Sequence, residues 1–461
     1  MGAYVRDIRS KINTASSLAE AGPRSGFTTR LVHHKDEFKP WETDMRKHLL
    51  PDQTEVLTTA ALAEAASFCE AGEFFAQHLT RHPKLLPLLG KPPVLASFSR
   101  ETLAAQFEVA LANCVTLSEA NAALRQIHSV ALLEIGRADV ISGAPLRVIN
   151  LAQTALAEAA IEAACQFAGQ YVARTCEFVS PMPTWSILGL GRLGHQGIDY
   201  GSDLDLIVVY DETAPTPLPG LTNCQAVVKM VETVSSLLTA LTADGMLYRV
   251  DFRLRPDGRN GPLAVSKSGL LNYARGRAAS WEHLAYLKMR PVAGNLEFGT
   301  ELQQAAREVI FEYARQRGDV LRHEVAEIRS RLQSERGGRS PERDFKFGIG
   351  AMMDVYFITR YVQMRDGIPD PLEYGTIALI DNLITRQAIR PEAGRILRDG
   401  YNFLRTLDHA MRLLVERHTS RLPAQTELLA RILKYRGASA FEEDYQRHTK
   451  AIRTVYLETF S

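Results

Sequence analysis

The chain has 461 residues, 46% of them hydrophobic and 23% charged, with 54 basic residues set against 53 acidic ones. Such a length holds roughly two to four domains, and such an apolar fraction supports a large buried core, which excludes global disorder. A net charge of +1 provides no broad basic field, so a dedicated nucleic-acid binder is not expected and any phosphate site must be a local arrangement.

In chain order, the first 40 or so residues hold few apolar clusters. Met1 to Ser10 is polar and carries no signal-type apolar stretch. From about Thr54 to Ala173, Ala, Leu and Glu dominate at three- and four-residue spacing, which predicts helices; His82-Pro83 and Gly90-Lys91-Pro92-Pro93 mark turns. The texture changes at Pro181-Met182-Pro183. Trp185 to Leu188 reads as a strand, followed by the glycine-rich Gly189-Leu190-Gly191-Arg192-Leu193-Gly194. Asp205 to Tyr210 is β-branched and apolar, a buried strand; about Asn223 to Ala243 is a helix, and Tyr248 to Leu254 alternates as a second strand. Trp281-Glu282-His283 and Lys288-Met289-Arg290 read as helix. Beyond Thr300 the chain is helical again, with a basic loop from Arg336 to Gly350 and helices at about Met352–Met364, Tyr374–Arg386 and Pro391–Glu416. The expected division is an N-terminal helical region (1–180), a mixed core (181–300) and a C-terminal helical domain (301–461).

Cys69, Cys114, Cys165, Cys176 and Cys224 form no CxxC pair and are odd in number. They read as reduced thiols of a cytoplasmic protein rather than as disulfides or a zinc site. No apolar run approaches about 20 residues, so no membrane span is expected.

The chemistry concentrates in two strand-like runs. Residues two apart on a strand share a face, so Asp203 and Asp205 project together. If Asp251 lies on the neighbouring strand, three carboxylates converge. Like charges at close range resist joint ionisation, and a divalent cation is the natural countercharge. Mg²⁺ takes oxygen ligands and shares them with phosphates, which implies metal-dependent phosphoryl or nucleotidyl transfer. Ser202 adds a hydroxyl, and Arg253 and Arg255 sit two and four residues after Asp251, so all three share a face and the arginines suit those phosphates. Gly189-x-Gly191-x-x-Gly194 has the spacing of a dinucleotide fingerprint, but His195 to Gly201 is too short for the crossover helix such a fold needs. A glycine loop against triphosphate oxygens, with Gly189, Gly191 and Arg192 beside it, is the better reading. Lys288 and Arg290 could reach phosphate or form a solvated face. His283 reads as a structural histidine.

These motifs resemble the bacterial glutamine synthetase adenylyltransferase/deadenylylase family, within the DNA polymerase β-like nucleotidyltransferase superfamily. The resemblance rests on Gly189 to Gly194 with Ser202 to Ile207, on Tyr248 to Pro256, on Trp281-Glu282-His283, on Asp344-Phe345-Lys346-Phe347-Gly348-Ile349-Gly350 and, more weakly, on Arg81 to Leu86. It implies an α+β, mostly α-helical fold: a polymerase β-like nucleotidyltransferase core of a small mixed sheet with helices, flanked by helical-bundle regions. It also implies Asp203, Asp205 and Asp251 as catalytic metal ligands for two Mg²⁺ ions, ATP or phosphate as substrate, and secondary roles for Asp344 and Lys346. Glutamine synthetase is the implied protein substrate, and a PII-type regulatory protein a further candidate partner; neither nucleic acid nor membrane is implied. Family members usually carry two such units, one adding AMP to a tyrosine and one removing it by phosphorolysis; this chain has one. Gly261-Pro262-Leu263 and Tyr248 to Asp251 resemble the removing half, whereas Trp281 to His283 and Met353-Asp354 resemble the transferring half, so the direction stays open. Arg192 stands where the family typically has lysine, Tyr356 where a glutamate is expected and Ala351 where a glycine is. A nucleotidyltransferase with another acceptor, and a nucleotide-binding regulatory module without catalysis, are the alternatives.

Overall fold

A computed structural model describes residues 58–338, 340–371, 373–415 and 419–461. The expectations for the first 40 residues, and for the end of the helix at Glu416, lie outside them. The chain forms two compact units: one of residues up to Ala160 with Ala240–Leu247 and Arg412–His418, the other of Ile161–Thr239, Tyr248–Met411 and Thr419–Ser461. No helix among the described residues is long and apolar enough to cross a membrane.

The helices of the amino-terminal half are α1 (Thr59–Ala71), α2 (Glu73–Arg81), α3 (Arg100–Leu111), α4 (Leu117–Gly136) and α5 (Leu146–Thr175). Their starts follow from capping chemistry. Ser99 accepts from the N–H of Thr102, and Thr116 with Glu119 forms a reciprocal capping box at α4. In the first unit the core is built on Phe68, Phe75, Leu103, Phe107 and Leu124, all essentially inaccessible to solvent. Arg125 donates to the carbonyl of Gly245 at 3.1 Å, tying the 240–247 segment to α4.

The second unit holds the sheet. Its strands are β1 (Trp185–Gly189), β2 (Leu204–Tyr210), β3 (Val250–Asp251), β4 (Ala264–Ser266) and β5 (Arg290–Gly294). The order is β3-β2-β1-β5, with β4 also on β2. β1 pairs antiparallel with both β2 and β5, whereas β3 and β4 lie parallel to successive stretches of β2. β2 is central, and Leu206 to Val209 are fully buried, as expected of a strand covered on both faces. A parallel neighbour needs a crossover, supplied between β2 and β3 by α7 (Asn223–Thr239), which follows the four-residue α6 (Gly191–Gly194). α8 (Lys267–Gly276), capped by Ser266, and α9 (Ser280–Tyr286) lead to β5. The remainder is helical: α10 (Leu296–Arg317), α11 (Asp319–Arg336), α12 (Met352–Arg365), α13 (Thr376–Thr385), α14 (Pro391–Leu414), α15 (Glu427–Ile432) and α16 (Ala438–Phe460). The protein is thus α+β and mostly helical, around one small mixed sheet.

Two expected elements differ. The strand expected over Tyr248–Leu254 ends at Asp251, because Phe252 onward turns; Asp257 takes a left-handed φ of 60° and Pro256-Asp257-Gly258 leads into a short 3-10 turn. Arg290 opens β5 instead of lying on a helix, since α9 stops at Tyr286 and Pro291 cannot donate to a continuing helical ladder.

Candidate active site

Every residue singled out as a site candidate lies in the second unit. The pairing of β2 with β3 places Asp205 directly opposite Asp251, with Asp203 just before β2. The three carboxylates are close enough to act on one another. Burial first, then the charges of Asp251 and Asp203, push the Asp205 carboxyl up to about 6. Asp203 is largely exposed, with Arg249 at 3.9 Å. Asp251 faces Arg253: burial would raise its carboxyl, but hydrogen bonds from Arg253 outweigh that and hold it below its ordinary value.

The glycines serve close approach. Gly191 has φ of 55°, and a Cβ there would stand 2.0 Å from Asp205 Oδ2. A Cβ on Gly194 would stand 2.0 Å from the carbonyl oxygen of Lys288, and one on Gly189 would press on Leu193 and Val292. The loop is pinned by the Leu190 N–H, which donates to the Asp205 carbonyl at 2.9 Å, and by Arg290, which donates to the carbonyls of Gly194 and Leu193. Arg290, buried, therefore shapes the glycine loop from below, and its guanidinium lies over the Tyr374 ring at 5.3 Å.

A cluster of positive charge adjoins Asp205. Lys288 is half-buried and its Nζ lies 4.5 Å from the centre of the Tyr356 ring, a cation–π contact. Burial, then Arg360 and Arg192, with a smaller contribution from Lys346, lower its ammonium to about 7 against the pull of Asp205. Arg192 donates to Asp408 at 2.7 Å, and its other terminal nitrogen, Nη1, is buried with no hydrogen-bond partner among the described residues. Lys346 is half-buried and lies over Phe347.

Other candidates have structural contacts. The Nε and both terminal nitrogens of Arg255 donate to the carbonyls of Gly261, Phe252 and Arg259, which closes the turn after β3. The Oγ of Ser202 accepts from the N–H of Asp199 at 3.0 Å. Asp344 is buried; it accepts from the N–H groups of Lys346 and Phe347 and from Ser420 Oγ, so it holds the loop that presents Lys346. His283 is fully buried, its ring 4.1 Å from that of Tyr313, and burial lowers it to about 4, in keeping with a structural histidine.

Sequence reasoning did not find Asp408, which is fully buried between Arg192 and Arg405. Arg405 and His409 in turn reach Asp199, at 3.4 and 2.9 Å, which links α14 to the segment after the glycine loop. The available signal was a carboxylate inside the apolar stripe Leu404, Leu407, Met411, three residues after an arginine. Arg360 was also missed; it is fully buried among Asp370, Gln363 and His195.

Among the described residues no three His, Cys, Asp or Glu side chains are gathered so as to hold an ion. The donor set nevertheless suits a hard cation: three carboxylates, one of them pushed up by burial and its two acidic neighbours, with Gly191 leaving clear a position that a Cβ would crowd against Asp205 Oδ2. Of the three, Asp251 is held by Arg253 through both of its oxygens.

A family model described as glutamate-ammonia ligase adenylyltransferase matches residues 62–305, more than half of the chain. The chain belongs to that family. A second model, GlnD PII-uridylyltransferase, matches residues 320–460. Similar proteins include bifunctional glutamine synthetase adenylyltransferase/adenylyl-removing enzymes. That of Thioalkalivibrio sulfidiphilus is 30% identical over 77% of this chain and 38% of the relative. That of Pseudomonas syringae pv. tomato is 30% identical over 82% and 39%, and that of Mesorhizobium japonicum 28% identical over 86% and 41%. The chain thus spans about two fifths of the length of the curated relatives it matches. The family resemblance read from the motifs agrees with this membership.

Proposed function

We propose that the chain is a metal-dependent nucleotidyltransferase that transfers AMP from ATP to a tyrosine of glutamine synthetase, removes it by phosphorolysis, or does both. The observation that carries the reading is the register of Asp205 opposite Asp251, with Asp203 beside them, at the rim of a glycine loop and a cluster of positive charge. The core within residues 181–300 would carry the reaction, between helical regions at 1–180 and 301–461 that dock the protein substrate. Membership of the family supports ATP as the nucleotide.

Asp203, Asp205 and Asp251 would hold two Mg²⁺ ions, which neutralise charge on the attacking and leaving oxygens. Asp251 would also receive the proton of the attacking hydroxyl. Lys288 and Lys346, whose charges act on Asp205, and Arg192, whose charge acts on Lys288, would bind the phosphates. In the forward direction a tyrosine oxygen bonds to the α-phosphorus as the bond to pyrophosphate breaks. In reverse, phosphate attacks the tyrosyl-AMP phosphorus, the bond to the tyrosine oxygen breaks and ADP leaves. A cytoplasmic location and a PII-type protein as regulator belong to the same proposal; the match of residues 320–460 to a PII-uridylyltransferase model supports the latter.

Tyr356, standing where the family pattern has a glutamate and covering Lys288, favours a second reading, a module that binds nucleotide without catalysis. Incubation with glutamine synthetase, Mg²⁺ and α-labelled ATP, in parallel with adenylylated glutamine synthetase and phosphate, separates the two. Label on the synthetase or release of ADP supports the enzyme; ATP binding with neither product supports the module. Turnover with another acceptor alone would move the substrate assignment.

A further inference from the structure

Both oxygens of Asp251 are held by one residue. Arg253 donates its backbone N–H to Oδ1 at 2.8 Å, its Nε to Oδ1 and Oδ2 at 3.0 and 2.7 Å, and its Nη2 to Oδ2 at 2.5 Å. A carboxylate offers about four lone-pair sites, and this fork occupies those through which it would ligate a cation. The grip is local and reversible. The Arg253 side chain is 61% exposed against 19% for Asp251, and Asp251 is its one hydrogen-bond partner among the described residues. The guanidinium can therefore swing into water without opening the core. The turn itself does not depend on the fork: the backbone N–H of Arg253 continues to orient Asp251, and Arg255 closes the turn through three carbonyls.

Resting on the metal-dependent reading above, we propose that Arg253 is the resident counterion of Asp251 and exchanges with the metal. Without a cation, Arg253 occupies the third carboxylate. When a cation takes that carboxylate, the fork is released near Asp205 and Asp203, whose charges already act on it, and a planar guanidinium there suits a phosphate held by the same metal. Metal and nucleotide then bind with positive coupling through one side chain. Asp251, in register opposite Asp205, is the carboxylate that Arg253 holds. Arg253 acts as a positioning residue in this scheme, controlling when Asp251 becomes a ligand.

The test is metal binding, read from the electron paramagnetic resonance signal of free Mn²⁺. Arg253→Gln, with an unchanged circular dichroism spectrum, removes the competitor and should bind Mn²⁺ about fivefold tighter than the wild type without nucleotide. That is the effect of an ion pair of about 1 kcal/mol. With saturating Mn²⁺, the same variant should bind α,β-methylene-ATP more weakly. Arg253→Lys, which keeps the charge but not the fork, should fall between. Unchanged or weaker Mn²⁺ binding by Arg253→Gln overturns the exchange while leaving the metal site standing, provided Asp205→Asn lowers Mn²⁺ binding. If the wild type binds no Mn²⁺ with or without nucleotide, the exchange and the metal site fall together.

Discussion

Two sets of carboxylates in the second unit are treated in opposite ways. Asp354 is fully buried and satisfied: it accepts from Arg329 at 2.6 Å, from the N–H of Gly350 at 2.9 Å and from Arg453 at 3.2 Å. Asp408 likewise sits between Arg192 and Arg405. Asp205 is partly open, has two acidic neighbours and has no ion-pair partner among the described residues. The first kind fixes loops, since Arg329 also donates to the carbonyl of Gly348 and so locks the Gly348–Gly350 turn. Asp205 has no such anchor: Lys288 and Lys346 act on it through charge alone, and burial with its two acidic neighbours outweighs them. The contrast separates anchored acids from one without an anchor; Asp251, held by Arg253, lies on the anchored side although it is proposed as a metal ligand.

The largest expected effect is on the structural side. Asp354→Ala strands two arginines, one of them with no access to solvent. Breaking a buried pair by removing one partner costs about 3–5 kcal/mol, so denaturant unfolding should show a loss of that size. Replacing both Asp354 and Arg329 by leucine and methionine should recover much of it, because an apolar pair leaves no buried charge behind. A single variant as stable as the wild type would mean that Asp354 is not the buried anchor described.

The functional side should behave in reverse. Asp203→Asn and Asp205→Asn should lower turnover by about 10²–10³ or more, the range seen when a preorganised electrostatic group is removed. Folding should be nearly unaffected. For Asp205 the sign is definite: its folded carboxyl is pushed up to about 6 from the ordinary 3.8, so its favourable contribution is present below about pH 4 and lost as pH rises through 6. At pH 7.5 the asparagine variant should therefore be at least as stable as the wild type in urea. Loss of stability there, or turnover like the wild type, would put Asp205 in the structural class with Asp354.

How much of this could be seen in the sequence depends on distance along the chain. The helices were legible where three- and four-residue spacing persisted, and β2 through its β-branched run. The Asp203 and Asp205 pair was legible because a two-residue period is local. β5 was not, since Lys288-Met289-Arg290 continues the charged pattern of the helix before it and only burial against β1 makes it a strand. Arg253 and Arg255 were expected on one strand face, but the left-handed backbone at Asp257 belongs to a turn that ends the strand and sends the two arginines to different partners. Asp408 lies 216 residues from Arg192, and a pairing across that separation leaves no periodic trace.

The smallest expected effect probes the basic side of the comparison. Lys288 titrates at about 7 in the folded chain and near its ordinary 10.5 when unfolded, chiefly because it is buried and then because Arg360 and Arg192 are near. The sign is that of a depressed base: stability from this group is complete above about pH 10 and lost as pH falls through 7. Lys288→Met should therefore be slightly more stable than the wild type at pH 6, with the difference shrinking as pH rises. An anion beside the ammonium restores its proton, so binding should take up a fraction of a proton at pH 8. Inorganic sulfate, which does not itself titrate there, makes this measurable by calorimetry in two buffers of different ionisation enthalpy. Uptake in the wild type that disappears in Lys288→Met ties the anion to this lysine. Equal proton exchange in both proteins would mean that the phosphates go elsewhere, and that Lys288 belongs with Arg290 among the residues that only hold the glycine loop in place.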